Sequence, residues 1–295
     1  MPKTRYRKEK IIEWVMILCS MVSVLTTIGI ILVLSVDTVQ FFKEVPFARF
    51  ITDNQWTPLF EEKHFGILPL LCGTLLTTTI AVSVAVPMGI TIAVYLNEYA
   101  SKNVTAIIKP LLEVLAGIPT VIYGFFALQI VTPVLQTIIP GLAGFNALSP
   151  GLIMGVMIIP YITSLSEDAL RAVPNSLREA SYGLGANRFQ TAFRVIVPAA
   201  NSGIVVSVIL AISRALGETM IVAIAAGQQP RLTFNPLESV ETITTYIVQV
   251  SMGDVPQDSL EYRTIFAAGI TLFVFTFLLN NISFWIRKHY LQRYE

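Results

Sequence analysis

The chain has 295 residues, of which 54% are hydrophobic and only 13% are charged, and its mean hydropathy is +0.68. Soluble domains carry about 25% charged residues, so this composition excludes a soluble globular protein. The net charge of +1 hides how the charges are distributed, and it gives no reason to expect a nucleic-acid partner.

Six apolar stretches are long enough to cross a bilayer as helices, which takes about 20 residues each. We therefore predict an all-α polytopic membrane protein with six transmembrane helices. In chain order the predicted spans are residues 11–36, 67–96, 107–130, 148–165, 199–226 and 264–286. The first span is too long for the apolar part of a cleavable signal peptide.

Lysine and arginine residues lie mostly on one side of these spans. Fourteen of the twenty fall in the N-terminus, after spans two and four, or in the C-terminus. The positive-inside rule then places both termini in the cytoplasm. The chain divides into a basic N-terminus with the first span and an external loop (1–66), a five-helix core (67–286) with a second external loop (227–262), and a cytoplasmic tail (287–295).

The residues that usually carry catalysis or metal binding are scarce. Cys19 and Cys72 both lie inside apolar spans and are typical of small core residues. His64 and His289 are too far apart in sequence for a metal site of the usual spacing. No phosphate-binding Gly-x-x-x-x-Gly-Lys-Ser/Thr loop is present. We therefore expect neither an enzyme nor a cofactor site.

The segment between spans four and five carries a short amphipathic helix. Pro174 marks its start, and Gly183 and Gly185 weaken and end it. Such a helix suits docking into a groove on a cytoplasmic partner. It equally suits an interfacial position on the lipid, and the residue pattern alone leaves both interpretations open.

A resemblance to the permeases of ABC importers favours the docking interpretation. The spacing of Glu179-Ala180-Ser181, Gly185, Val195 and Val197-Pro198 resembles their EAA loop, with three conservative replacements at Ser181, Val195 and Val197. In that family the loop is a coupling helix that fits a cleft of the ATPase subunit. The resemblance therefore implies a coupling segment at about 174–198, and the basic residue Arg188 falls within it.

Longer stretches resemble the phosphate-specific (Pst-type) branch, and its PstC-type subunit more than PstA. They are FGILPLLCGTLLTTTIAVSVAVPMGITIAVYLNEY, LLEVLAGIPTVIYG and AISRALGETM. The resemblance implies a type I ABC importer permease fold and an inner-membrane location. It also implies a PstA-like second permease, two ATPase subunits that bind ATP and Mg, and an external phosphate-binding protein. Sulfate or molybdate as the substrate, and a non-transporting membrane sensor or scaffold, are the alternatives.

Arg214 and Glu218 lie inside the predicted fifth span. An arginine at that depth costs about 2.5–3.5 kcal/mol by insertion scales, and Glu218 follows one helical turn later, where it can neutralise the charge. Either the pair only offsets its own burial, or Arg214 contacts an anion in the pathway. Given the resemblance, we predict the anion contact. We expect Glu218 to hold Arg214 when the site is empty and to accept the hydrogen phosphate proton.

Two further patterns predict helix contacts. Small residues recur every fourth position through the fifth span, which favours close approach by the partner permease or by the chain's own helices. They are Gly203, Ser207, Ala211, Ala215, Thr219, Ala223 and Gly227. Next to the cytoplasmic end of span three, Glu113 stands four residues after Lys109, so we expect an ion pair between them.

Overall fold

The computed structural model describes the backbone of residues 3–290 and the side chains of residues 9–286, and its elements are nearly all helical. The basic side chains at positions 3–8 and the predicted tail 287–295 therefore lie outside the described side chains. The helices are α1 Lys3–Glu44, α2 Phe47–Thr52, α3 Leu68–Glu98, α4 Lys102–Gly117, α5 Thr120–Phe126, α6 Thr132–Ile138, α7 Leu148–Arg171, α8 Asn175–Gly183, α9 Arg188–Thr191, α10 Val197–Ala199, α11 Asn201–Leu216, α12 Met220–Ala225, α13 Ile243–Met252 and α14 Leu260–Tyr290. One π-helical turn joins α5 to α6 and another joins α9 to α10.

Five helical stretches are long and apolar enough to cross a membrane, and a bent pair makes a sixth. The five are Glu9–Glu44, Leu68–Glu98, Thr120–Ile138, Leu148–Arg171 and Leu260–Ile286. The sixth combines Arg188–Ala199 with Asn201–Leu216, which meet at an angle of 69°. The prediction of an all-α polytopic membrane protein is confirmed, and the number of spans reaches the predicted six when the bent pair is counted as one span.

The predicted third span, 107–130, is wrong in its boundaries. The chain breaks at Ile118, whose backbone is extended, because a residue that precedes a proline disfavours the α conformation. Pro119 then stands directly before α5, and the span runs Thr120–Ile138. Residues before the break form α4, a separate amphipathic helix with no buried side chain.

The predicted fifth span, 199–226, is also wrong as a single helix. It bends at Ala200 and stops at Leu216, and a short helix, α12, resumes at Met220. Gly217 and Thr219 separate the two pieces, so Arg214 lies near the end of α11 rather than near the middle of a long helix.

The break also divides the stripe of small residues. Its first part packs within the chain, against α7: a Cβ on Gly203 would lie 2.5 Å from the Cβ of Ala169. The hydroxyl of Ser207 is 2.8 Å from that of Ser166 on α7. Ala211 and Ala215 belong to the same buried cluster as Ile158, so these positions serve the chain's own bundle.

The centre of the fold is the contact between α3 and α7, and glycines allow their close approach. A Cβ on Gly151 of α7 would lie 2.8 Å from the Cβ of Ile80, and one on Gly155 would lie 2.9 Å from the carbonyl oxygen of Ala81. No side chain larger than hydrogen fits at such distances without a shift of the helices. The α3–α7 pair is thus the frame on which α4, α8 and α11 are placed.

The segment before α13 packs tightly on the start of α3. A Cβ on Gly73 would lie 2.2 Å from the carbonyl oxygen of Glu241, and the backbone N–H of Ile243 donates to the Thr74 hydroxyl at 3.1 Å. The Glu241 side chain is 1% exposed, and one of its oxygens has no hydrogen-bond partner among the described residues. Burial raises the pKa of this carboxyl to about 8.

Candidate functional site

The predicted coupling segment forms a helix whose end requires glycine. Pro174 stands at the N-cap of α8, and Gly185 follows the helix with φ of +82°. In this left-handed position the Gly185 N–H donates to the carbonyl of Tyr182 at 2.9 Å, and the next N–H donates to Ser181 at 3.1 Å. Glycine adopts that conformation at no steric cost, which gives the glycine of the motif a physical reason.

Ser181, which replaces alanine in the EAA pattern, has a partner for its hydroxyl. The side chain is buried, and its Oγ lies 2.9 Å from Oγ1 of Thr191, which is also buried. A buried hydroxyl without a hydrogen bond is costly, so Thr191 makes serine acceptable at this position. The same contact ties α8 to α9.

Arg178 fastens α8 to the transmembrane frame, and the sequence interpretation assigned it no role. Its guanidinium donates to Oε1 of Glu98, the last residue of α3, at 3.1 and 3.2 Å. It also donates to the carbonyls of Leu170 at 3.0 Å and Val173 at 2.8 Å, at the end of α7. Glu98 is largely buried by this contact. One signal was available: a single arginine, next to Glu179, inside a short amphipathic helix.

The outward side of the segment presents large apolar side chains. Leu184 is 90% exposed. Three aromatic residues of the segment are also exposed, namely Tyr182, Phe189 and Phe193. The ring centroids of Phe189 and Phe193 are 4.7 Å apart. We call these four residues the α8 surface. Four other residues predicted to take part in coupling, Glu179, Ala180, Arg188 and Pro198, are also exposed.

Arg214 and Glu218 come together, but in an unequal way. The Arg214 side chain is 50% exposed, whereas that of Glu218 is 3% exposed, and Nη1 lies 3.9 Å from Oε2. The other Glu218 oxygen accepts the backbone N–H groups of Met220 at 3.1 Å and Ile221 at 3.4 Å, in the first turn of α12. Glu218 therefore caps α12, and its hold on Arg214 is loose.

Arg214 opens into a cavity of about 380 Å³ on the side of the bundle that carries α8. The cavity lies between α4, the start of α5 and the second half of α7. Its charged lining residues are Lys109, Glu113, Glu167, Asp168 and Arg214. A half-exposed guanidinium thus faces a space large enough for a small hydrated anion.

The expected Lys109–Glu113 ion pair is replaced by a contact between helices. Nζ of Lys109 lies 2.8 Å from Oε1 of Glu167 on α7, and Arg171 donates to the same oxygen at 2.6 Å. No ion pair of Glu113 is found among residues 9–286. Glu167 is buried, so it attracts lysine across the cavity more strongly than an exposed neighbour on the same helix does.

Comparison with known proteins identifies the family. A family model described as the inner membrane component of binding-protein-dependent transport systems matches residues 85–295. The probable ABC transporter permease protein YqgH of Bacillus subtilis is 34% identical over 262 residues, 88% of this chain and 84% of that protein. The phosphate transport system permease protein PstC of Mesorhizobium japonicum is 36% identical over 256 residues, 79% and 76% of the two chains.

Solved structures share the fold at lower identity. A bacterial alginate ABC transporter in complex with its periplasmic protein aligns over 88% of both chains, with a TM-score of 0.60 and 19% identity. An inward-facing structure of the MetNI methionine ABC transporter aligns over 75% of this chain and 94% of that one, with a TM-score of 0.53 and 16% identity. At these identities the likeness concerns the fold alone.

These observations define a multi-pass membrane transport component of the inner membrane, built around the frame of α3 and α7. More particularly, the chain belongs to the inner-membrane components of binding-protein-dependent transport systems, the permease subunits of ABC importers. The resemblance stated from the EAA-like spacing is confirmed.

Proposed function

We propose that this permease imports inorganic phosphate as half of a translocation pathway that it shares with a second, PstA-like permease. The observation that carries the proposal is Arg214, a half-exposed guanidinium inside a span and at the wall of a cavity. The planar guanidinium can donate two parallel hydrogen bonds to a tetrahedral oxyanion. The relatives named PstC support phosphate as that anion.

The α8 surface supports the proposed coupling to ATP hydrolysis. Two ATPase subunits bind ATP and Mg, and one of them receives Leu184 and its aromatic neighbours in a groove. Removal of these exposed apolar side chains from water stabilises the contact. This arrangement puts α8 and both termini in the cytoplasm, and the loops around α2 and α13 then face the external phosphate-binding protein.

Glu218 has two tasks in this proposal. At 3.9 Å it weakly holds Arg214 in the empty state, which limits anion leak. During passage its carboxylate accepts a hydrogen bond from the hydroxyl of hydrogen phosphate, a donor that sulfate lacks near neutral pH. Since Glu218 also caps α12, Glu218→Gln is the suitable variant: its amide oxygen still accepts the backbone N–H groups, while the negative charge is lost. We expect this variant to leak anions or to admit sulfate.

The testing experiment is ATP-driven uptake of radiolabelled phosphate by vesicles that hold the complete complex with its binding protein. Wild type is compared with Arg214→Gln and with Lys43→Gln, which removes an exposed cation at the end of α1. We expect uptake by wild type and Lys43→Gln and a loss of at least about tenfold in Arg214→Gln. Equal uptake by all three would reduce Arg214 to a structural charge. Active ATPase without phosphate uptake would overturn the substrate, and sulfate or molybdate would be measured next.

A further inference from the structure

The cavity beside Arg214 holds anion-binding groups that the proposed pathway does not yet use. Tyr161 and Ser164 line it and are exposed, and neither hydroxyl is hydrogen-bonded to another residue among positions 9–286. Lys109 lines it from α4. A cation with two available hydroxyl donors is a typical set of ligands for a phosphate oxyanion.

Lys109 contacts a carboxylate that has a second cation as a partner. Oε1 of Glu167 accepts both Lys109 at 2.8 Å and Arg171 at 2.6 Å. Arg171 alone is sufficient to neutralise this buried carboxylate. Lys109 can therefore turn toward an anion without leaving a buried charge unpaired, which would otherwise be strongly unfavourable.

The charges around the cavity permit such an anion. Lys109, Arg171 and Glu167 together carry one net positive charge, and Arg214 and Glu218 cancel. Glu113 and Asp168 also line the cavity, but both are exposed to solvent, where water and salt screen their repulsion. Around Glu167 itself, the two cations Lys109 and Arg171 exceed the carboxylate by one charge, and of these two cations Lys109 lines the cavity.

We infer that the cavity between α4 and α7 is a second oxyanion site, in which Lys109, Tyr161 and Ser164 take phosphate after Arg214 on the way out of the permease. This inference rests on the proposed function, because it adds a step to the same path. It places the second site next to the start of α8, since α7 ends at Arg171 and α8 begins at Asn175.

A purely structural role for Lys109 is the competing interpretation. In that case the Lys109–Glu167 contact would only brace α4 against α7. However, α4 has other attachments: the Tyr123 hydroxyl donates to the carbonyl of Leu115 at 2.8 Å, and Leu112 packs against the buried core. The brace is thus not the sole contact that holds α4.

The experiment measures the maximal rate of ATP-driven phosphate uptake by the complete complex in vesicles for four proteins. They are wild type, Lys109→Gln, Glu167→Gln and Lys102→Gln. Lys102 is the matched control because it is an exposed cation on the same helix that does not line the cavity. A second anion site predicts a fall of at least about tenfold in Lys109→Gln and near wild-type uptake in the other two, since Glu167→Gln releases Lys109 instead of removing it.

Each other outcome overturns a defined claim. Equal losses in Lys109→Gln and Glu167→Gln would identify a brace and exclude the second site. Unchanged uptake in Lys109→Gln would also exclude it, while the proposed role of Arg214 would stand. If the wild-type complex hydrolyses ATP and moves no phosphate, the proposed function fails, and the second site fails with it.

Discussion

The two ends of this permease are built in opposite ways. The end around α2 and the start of α14 buries a cluster of aromatic side chains, here called the aromatic end. Its members are Phe41, Phe42, Phe50, Trp56, Phe65 and Tyr246. The α8 end instead leaves its aromatic and leucine side chains exposed.

Polar side chains at the aromatic end also find partners within the chain. Lys63 pairs with Glu261, and Arg263 pairs with Glu44 at 3.0 Å. Nδ1 of His64 lies 2.8 Å from a carboxylate oxygen of Asp53, which is hydrogen-bond distance. Partial burial raises the pKa of Asp53. Hydrogen bonds from His64 and from the Gln55 backbone lower it, and together the lowering effects are larger, so the pKa lies below its ordinary value.

This difference shows which parts of the chain find packing and charge partners within the chain itself. The aromatic end satisfies its own packing within one chain, so its substitutions are expected to act on stability. The α8 end and the Arg214 cavity leave apolar surface and charge available, so substitutions there are expected to act on assembly and transport.

The largest effect is expected at Trp56, which is 1% exposed and lies edge-on to Tyr246 with ring centroids 5.0 Å apart. Trp56→Ala leaves a cavity in the cluster and should cost about 3–5 kcal/mol of unfolding free energy. Thermal unfolding of the purified protein measures it. Phe60→Ala, in the same loop but exposed, is the control, and equal losses in both variants would contradict a buried cluster.

Glu241, which is buried where the segment before α13 packs on α3, should make the stability of the protein depend on pH. Its pKa is raised to about 8 in the folded protein, whereas the unfolded chain ionises near the ordinary value of about 4.3. Between these two values the unfolded state loses the proton and the folded state keeps it. Stability should therefore fall as pH rises through that window, by at most about 1.4 kcal/mol per pH unit.

Unfolding measured from pH 5 to pH 8 checks this prediction. Glu241→Gln removes the titrating group and keeps the shape of the side chain, so its stability should decline less steeply than that of the wild type. Parallel curves for the two proteins would show that Glu241 does not titrate in this window.

At the opposite end, Leu184→Ala should leave the stability of the permease unchanged and weaken its assembly with the ATPase subunits. A well-buried anchor at an interface contributes about 2 kcal/mol or more, which corresponds to roughly 30-fold in affinity. Titration of ATPase subunits onto the permease pair measures it. Leu59→Ala, an exposed leucine at the other end, is the control, and wild-type affinity in Leu184→Ala would place the contact elsewhere.

The smallest effects are expected at two glycines of the predicted coupling segment, where alanine should change the stability of α8 in opposite directions. Gly185 has φ of +82°, so Gly185→Ala should destabilise the end of α8 by about 1 kcal/mol. Gly183 is helical with open space around it, so Gly183→Ala should stabilise the helix by up to about 1 kcal/mol. Amide hydrogen exchange in residues 174–198 reports both, and changes of the same sign would contradict the geometry.

The sequence was sufficient for the long apolar spans and for the short helix between spans four and five, because these depend on long apolar runs and on local turn chemistry. It was insufficient for the ends of spans three and five. Apolar residues continue on both sides of Pro119 and of Gly217, so hydropathy alone does not show that the helix ends there.

The sites divide in the same way. Arg214 and Glu218 stood out because charges inside an apolar run are conspicuous, and their four-residue spacing brought them together. The pairs Lys109–Glu167 and Arg178–Glu98 join residues 58 and 80 positions apart. No local pattern predicts such contacts, because they arise only when α3 and α7 pack.

The guanidinium of Arg178 joins three helices at this end of the permease. Since it bonds to the ends of both α3 and α7 from within α8, these three elements share one rigid joint, whereas the chain bends by 69° where α10 gives way to α11. A displacement of α8 would therefore be expected to move the ends of α3 and α7 with it, whereas α11 runs in a different direction beyond the bend.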